Sequence, residues 1–170
     1  TNHKVYGETL AILAGDALQP EAFRLILTAP GLPAEQRTAC ALILAKAAGA
    51  DGMVAGQVID TLHAPRTQEE LAEVHRLKTG AMIAGACMLG AAAAGNEELQ
   101  KAAEEYGYQL GMAFQIRDDM LDVIGTQEEM GKGVGTDESK NTFVRLYGLE
   151  RCEELVQTYT RYAIDALSVF

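Results

Sequence analysis

The chain has 170 residues, 48% of them hydrophobic, which allows one domain with a sizeable core and excludes disorder by composition. A net charge of −10 argues against nucleic acid as a bulk partner, although a metal ion and a few local lysines can still reverse the sign inside a site. Abundant Ala and Gly, few aromatics and the absence of alternating β-branched runs read as an all-α chain.

Tyr6 to Leu18 reads as a helix, and Pro20 fits the first turn of a second, short helix through Leu27. Ala29-Pro30-Gly31-Leu32-Pro33 is a loop, and a helix follows from Pro33 or Ala34 to about Ala48. Gly49-Ala50-Asp51-Gly52 reads as a turn or a weak point. Met53 to Leu62 carries Gln57 and Asp60, three apart and so on one helical face, where they either solvate the surface or line a cleft. Thr67 and Glu70 form a capping-box signature for a long helix running from about Gln68 towards Gly95. Lys78 and Thr79 sit in its middle, just before the uncharged run Thr79 to Asn96. That run suits a buried core helix better than a membrane span, so no integral membrane segment is expected. Lys78 either snorkels to water or reaches into a cleft to meet an anion. His75, like His3 and His63, reads as an ordinary packed or exposed side chain.

Asn96 caps the next helix, with Glu97 and Glu98 in its first turn, and that helix runs to about Ile124. Its last turns hold Phe114-Gln115-Ile116-Arg117-Asp118-Asp119-Met120-Leu121-Asp122. Asp118 and Asp122 share a face, with Asp119 beside them and Gln115 one turn earlier. At about 6 Å and an effective dielectric of about 20, two carboxylates repel by roughly 3 kcal/mol. Negative charge is also unfavourable at a helix C-terminus. A solvated acidic patch is one reading. The other is a cation site, and hard oxygen ligands with no His or Cys nearby favour Mg²⁺. The stretch Gly131 to Thr142, with Lys132 and Lys140, lacks Walker-loop spacing. It reads as a linker or as a lid over phosphate, and its closeness to the aspartates favours the lid. Tyr147-Gly148 then leads into a helix from Leu149 to about Leu167. Cys40, Cys87 and Cys152 have neither metal nor disulfide spacing, so a reducing, cytoplasmic location is expected.

Taken together, the motifs resemble those of trans-isoprenyl diphosphate synthases, the polyprenyl synthetase family of farnesyl and geranylgeranyl type. Gly52-Met53, Gly56-Gln57 and Asp60 resemble its G-M-x-x-G-Q-x-x-D segment, and Lys78-Thr79 its K-T pair. Phe114-Gln115, Asp118-Asp119 and Asp122 match its second aspartate-rich motif; Gly131-Lys132, Gly135, Asp137, Lys140 and Thr142 match the loop after it. The segment from Thr1 through Gly7-Glu8 to Leu18 looks like the part that follows the first aspartate-rich motif.

The resemblance implies a bundle of long antiparallel helices around a central cavity. Residues 1–170 would be one helical domain, itself part of a longer synthase domain. It implies condensation of isopentenyl diphosphate with an allylic diphosphate, by Mg²⁺-dependent ionisation, attack by the alkene and loss of a proton. Asp118, Asp119 and Asp122 would bind Mg²⁺; Lys78, Lys132 and Lys140 would contact the diphosphate; Thr79 and Gln115 would stand near the reacting carbons with Lys78. A homodimer is implied for the whole protein. The first aspartate-rich motif is missing from this sequence, so the expectation is that the 170-residue chain alone is inactive. Product length is not readable. A non-catalytic subunit of a heteromeric synthase and a terpene cyclase are the alternatives, and the D-D-x-x-D form of the second motif weighs against both.

Overall fold

A computed structural model describes residues 2–63, 65, 67–125 and 142–170, and all regular structure among them is helical. In chain order these are α1 (Asn2–Tyr6), α2 (Glu8–Leu27), α3 (Ala34–Ala48), α4 (Met53–Leu62) and α5 (Gln68–His75). A single π-helical turn (Arg76–Gly80) joins α5 to α6 (Ala81–Ala93), followed by α7 (Glu97–Ile124) and α8 (Phe143–Ala166). A short 3₁₀ turn (Leu167–Val169) ends the chain.

Capping follows the sequence signals. The Thr67 hydroxyl accepts from the Glu70 N–H, and the Glu70 carboxylate accepts from the Thr67 N–H, completing the capping box of α5. Asn96 accepts from the Leu99 N–H at 3.0 Å and starts α7.

α7 is the axis of the bundle. It packs against α6 along one side and α8 along another, while α3 lies on α6. The core cluster of Leu71, Met112, Ile116, Met120, Phe143 and Cys152 joins α5, α7 and α8 directly beneath the acidic end of α7. Each large side chain there, such as the fully buried Ile116, adds about 1.5–3 kcal/mol by leaving water. The uncharged run is a core helix as expected, with Ala81, Ala84, Gly85, Ala91 and Ala92 buried.

Three elements differ from the sequence expectation. Pro20 does not start a second helix but lies inside α2. Pro20 and Asp16, whose carbonyl loses its partner there, are both exposed, so water can satisfy the freed oxygen. The long helix after Thr67 is interrupted at Arg76–Gly80, where the Ala81 N–H bonds to the Arg76 carbonyl five residues back. The last helix begins at Phe143, capped by Thr142, and kinks at Gly148, whose φ of 77° is strained for any residue with a side chain.

Ala34–Leu62 is long and apolar enough to cross a membrane by composition. The Gly49–Gly52 turn divides it into α3 and α4, of 15 and 10 residues, each short of a bilayer core.

Candidate active site

The site is built on close backbone approaches. A Cβ on Gly56 of α4 would lie 2.2 Å from the Lys78 nitrogen, and one on Gly111 of α7 would lie 2.8 Å from the Gly80 Cα. The π turn is therefore clamped between two helices at distances only glycine permits. Farther along α6, Gly107 meets Ala84 in the same way. A π turn inserts an extra residue into a helix and redirects the side chains around it, and such turns recur at functional sites.

The clamp sets Lys78 and Thr79 against two different helices. Lys78 Nζ donates to Asp60 Oδ2 at 2.6 Å, and the Asp60 side chain is only 12% exposed. Lys78 is therefore paired with a carboxylate and not left alone at the start of the apolar run. Thr79 Oγ1 donates to Gln115 Oε1 at 3.0 Å across to α7, and Gln115 Nε2 reaches Asp119 Oδ1 at 3.5 Å. Asp119 Oδ2 in turn accepts from the Phe143 N–H at 3.0 Å. A polar seam thus runs from the π turn through α7 to the first residue of α8.

The three aspartates have different settings. Asp119 is buried, and burial raises its carboxyl above the usual range. The Phe143 and Gln115 donors oppose that rise, while the charges of Asp118 and Asp122 add to it. Asp118 and Asp122 are half-buried, one helical turn apart. Among the described residues no three of His, Cys, Asp and Glu are gathered into a metal cage. Two carboxylates on one helix face fit Mg²⁺, which keeps several waters and needs few protein ligands; they do not fit Zn²⁺.

Of the other expected site residues, Lys132 and Lys140 lie outside the described residues. Gln57 is exposed and bonds to Thr61 rather than to the seam. A cleft of about 350 Å³ between α3, α6 and α7 is lined by Ile43, Lys46, Ala84, Met88, Glu104 and Tyr108 and does not include Asp118, Asp119 or Asp122. Sequence reasoning missed the clamp role of Gly107 and Gly111, though their four-residue spacing on one helix face was a usable signal. It also missed Phe143, which holds Asp119 through its backbone and so leaves no mark in side-chain chemistry.

The described residues form an all-helical bundle with paired carboxylates at a helix end, and a lysine and a Thr–Gln pair in the adjoining clamp beside an apolar core. The family model described as Polyprenyl synthetase matches residues 1–165, and the chain belongs to that family. Farnesyl diphosphate synthase of Geobacillus stearothermophilus is 46% identical over 165 residues, covering 91% of this chain and 54% of the relative. Geranylgeranyl pyrophosphate synthase 3, chloroplastic, of Arabidopsis thaliana is 42% identical and covers 100% of this chain and 50% of the relative. Among solved structures, a geranyltransferase from Helicobacter pylori complexed with magnesium and isoprenyl diphosphate superposes with a TM-score of 0.86. It is 36% identical, with 99% of this chain and 57% of that chain covered. The chain spans about half the length of the curated relatives it matches.

Proposed function

We propose that these residues form the second-aspartate half of a short-chain prenyltransferase, which condenses isopentenyl diphosphate with an allylic diphosphate. The observation that carries the reading is the seam Asp60–Lys78, Thr79–Gln115–Asp119, next to the half-buried pair Asp118 and Asp122. Its residue types match what ionisation of an allylic C–O bond demands.

Asp118 and Asp122 would hold Mg²⁺, with Asp119 supporting them. When bound, the ion neutralises charge on the departing diphosphate and so stabilises it as a leaving group. Lys78, held in place by Asp60, offers its ammonium to the diphosphate oxygens, and Lys132 and Lys140 are proposed to do the same. The C–O bond breaks with its electron pair going to the diphosphate. The Gln115 amide and Thr79 hydroxyl, bonded to each other, face the reacting carbons and steady the allylic cation. The alkene of isopentenyl diphosphate attacks that cation, a C–C bond forms, and a proton leaves the adjacent carbon. The apolar helices exclude water from the cation.

A homodimer belongs to the proposal; the apolar outer face of α2 supports it. Cys40, Cys87 and Cys152 are free, and burial raises each thiol, which supports a reducing compartment such as the cytoplasm. The test is prenyl transfer by the full-length protein with isopentenyl diphosphate and each of dimethylallyl, geranyl and farnesyl diphosphate. Mg²⁺-dependent product, abolished by chelation, is expected, together with no turnover by the 170-residue chain. Failure of the full-length protein with all three allylic substrates would overturn the reading.

A further inference from the structure

His75 is buried at 9% exposure, and neither ring nitrogen has a hydrogen-bond partner among the described residues. The imidazole is stacked on Phe143, with centroids 5.5 Å apart and planes inclined by 28°, and Phe143 stacks in turn on Tyr147 at 5.8 Å. Phe143 is itself 2% exposed, and its N–H is the donor that holds the Asp119 carboxylate.

His75 is also the last residue of α5, directly before the π turn that presents Lys78 and Thr79. The stack therefore joins the two parts of the site that are far apart in sequence. One end adjoins the start of the π turn; the other is the first residue of α8, whose N–H donates to Asp119. No other described aromatic ring touches Phe143 from the α5 side.

We propose that His75 is a positioning residue for prenyl transfer: its ring, stacked on Phe143, holds the start of α8 and through the Phe143 N–H sets the Asp119 carboxylate beside Asp118 and Asp122. The proposal rests on the prenyltransferase reading above. The ring acts through its flat face, not through proton transfer, because both nitrogens are buried and neither makes a hydrogen bond to a described residue, although the Asp60 and Lys78 charges are felt at the ring. Burial supports this by holding the imidazole neutral, with its pKa pushed down to about 4.

The experiment compares His75→Ala, His75→Phe and Phe143→Leu in the full-length enzyme. It reads kcat, the KM for the allylic diphosphate and the Mg²⁺ concentration for half-maximal rate, with melting temperatures alongside. Wild-type turnover in the same assay establishes the underlying reading independently. His75→Ala is expected to raise the Mg²⁺ requirement and the allylic KM about 10-fold, as misplacing the carboxylate that supports Asp118 and Asp122 implies. His75→Phe, which keeps the stack, should restore both to within about 3-fold of wild type. In the Phe143→Leu background, His75→Ala should add less than about 2-fold, because the two residues act as one unit. A lowered melting temperature with an unchanged Mg²⁺ requirement would overturn the proposal in favour of simple packing. So would His75→Phe behaving as badly as His75→Ala, which would assign the role to the imidazole nitrogens.

Discussion

α7 and α2 are both long helices with many apolar side chains, yet they lead opposite lives. α7 buries Ala103, Gly107, Gly111, Met112, Ala113, Ile116, Asp119 and Met120 between α6 and α8. α2 buries nothing, and Leu10, Ile12, Leu13, Leu18, Leu25 and Leu27 are each at least half exposed. Covering six such side chains would stabilise the fold on the order of 10 kcal/mol, and a contiguous apolar patch of this kind marks an interface. By composition α2 is the more apolar of the two, so what keeps α7 buried and α2 exposed is the presence of partners. Among the described residues α7 has its partners, and so its acidic end is held in a defined geometry. The α2 face has no such cover among the described residues.

The sharpest way to break the ordered region is at its glycine clamp. Gly56→Val in the full-length protein would force α4 away from the π turn and separate Asp60 from Lys78. Turnover should fall by about 10³-fold, as misplacement of charged groups at a reacting centre does. Near wild-type rates would show that the clamp does not position Lys78.

Ile116→Ala and Leu13→Ala test the comparison itself by denaturant unfolding of the full-length protein. Ile116→Ala should destabilise by about 3 kcal/mol, the usual loss for a fully buried aliphatic chain. Leu13→Ala should approach about 2 kcal/mol if α2 is covered in the whole protein. A value within about 0.5 kcal/mol would mean that the α2 face is solvated there too.

A pH effect of similar size should come from the ordered region. The His75 ring titrates near 6.5 when unfolded and about 4 in the fold, chiefly through burial, with the Asp60 charge raising it and the Lys78 charge lowering it. The folded value is depressed for a base, so the unfolded chain takes up the proton first as pH falls. Stability is full above about pH 6.5, declines by about 3 kcal/mol between 6.5 and 4, and levels off below. Unfolding free energies of wild type and His75→Phe across this window should diverge by that amount; parallel curves would show that His75 is not neutral in the fold. The smallest effect expected is about 1 kcal/mol for Thr67→Ala, which removes one half of the α5 capping box and is measurable by thermal melting.

Much of this was legible in the sequence because it depends on local chemistry. Asn96, Thr67 and Glu70 announce their caps, and Asp118 and Asp122 announce a shared face by spacing alone. The Lys78–Asp60 pair was within reach, since a lysine at the mouth of an apolar run needs a partner. The π turn was not legible, because it arises from the tertiary approach of Gly56 and Gly111, 55 positions apart in the chain. The roles of Phe143 and His75 were hidden for a similar reason: one acts through its backbone N–H, the other through the flat face of its ring. Pro20 misled because a proline inside a helix is costly but not forbidden, and on exposed α2 water can satisfy the carbonyl it frees.

The central claim is that Asp118 and Asp122 hold the metal that carries the departing diphosphate. The most direct measurement is Mg²⁺-dependent diphosphate release by the full-length protein, wild type against Asp118→Ala, with circular dichroism to confirm that both are folded. The account predicts a folded variant whose release falls by about 10³-fold or more, as loss of a charge-stabilising group at a leaving-group site does. A folded variant that releases diphosphate at the wild-type rate would contradict it.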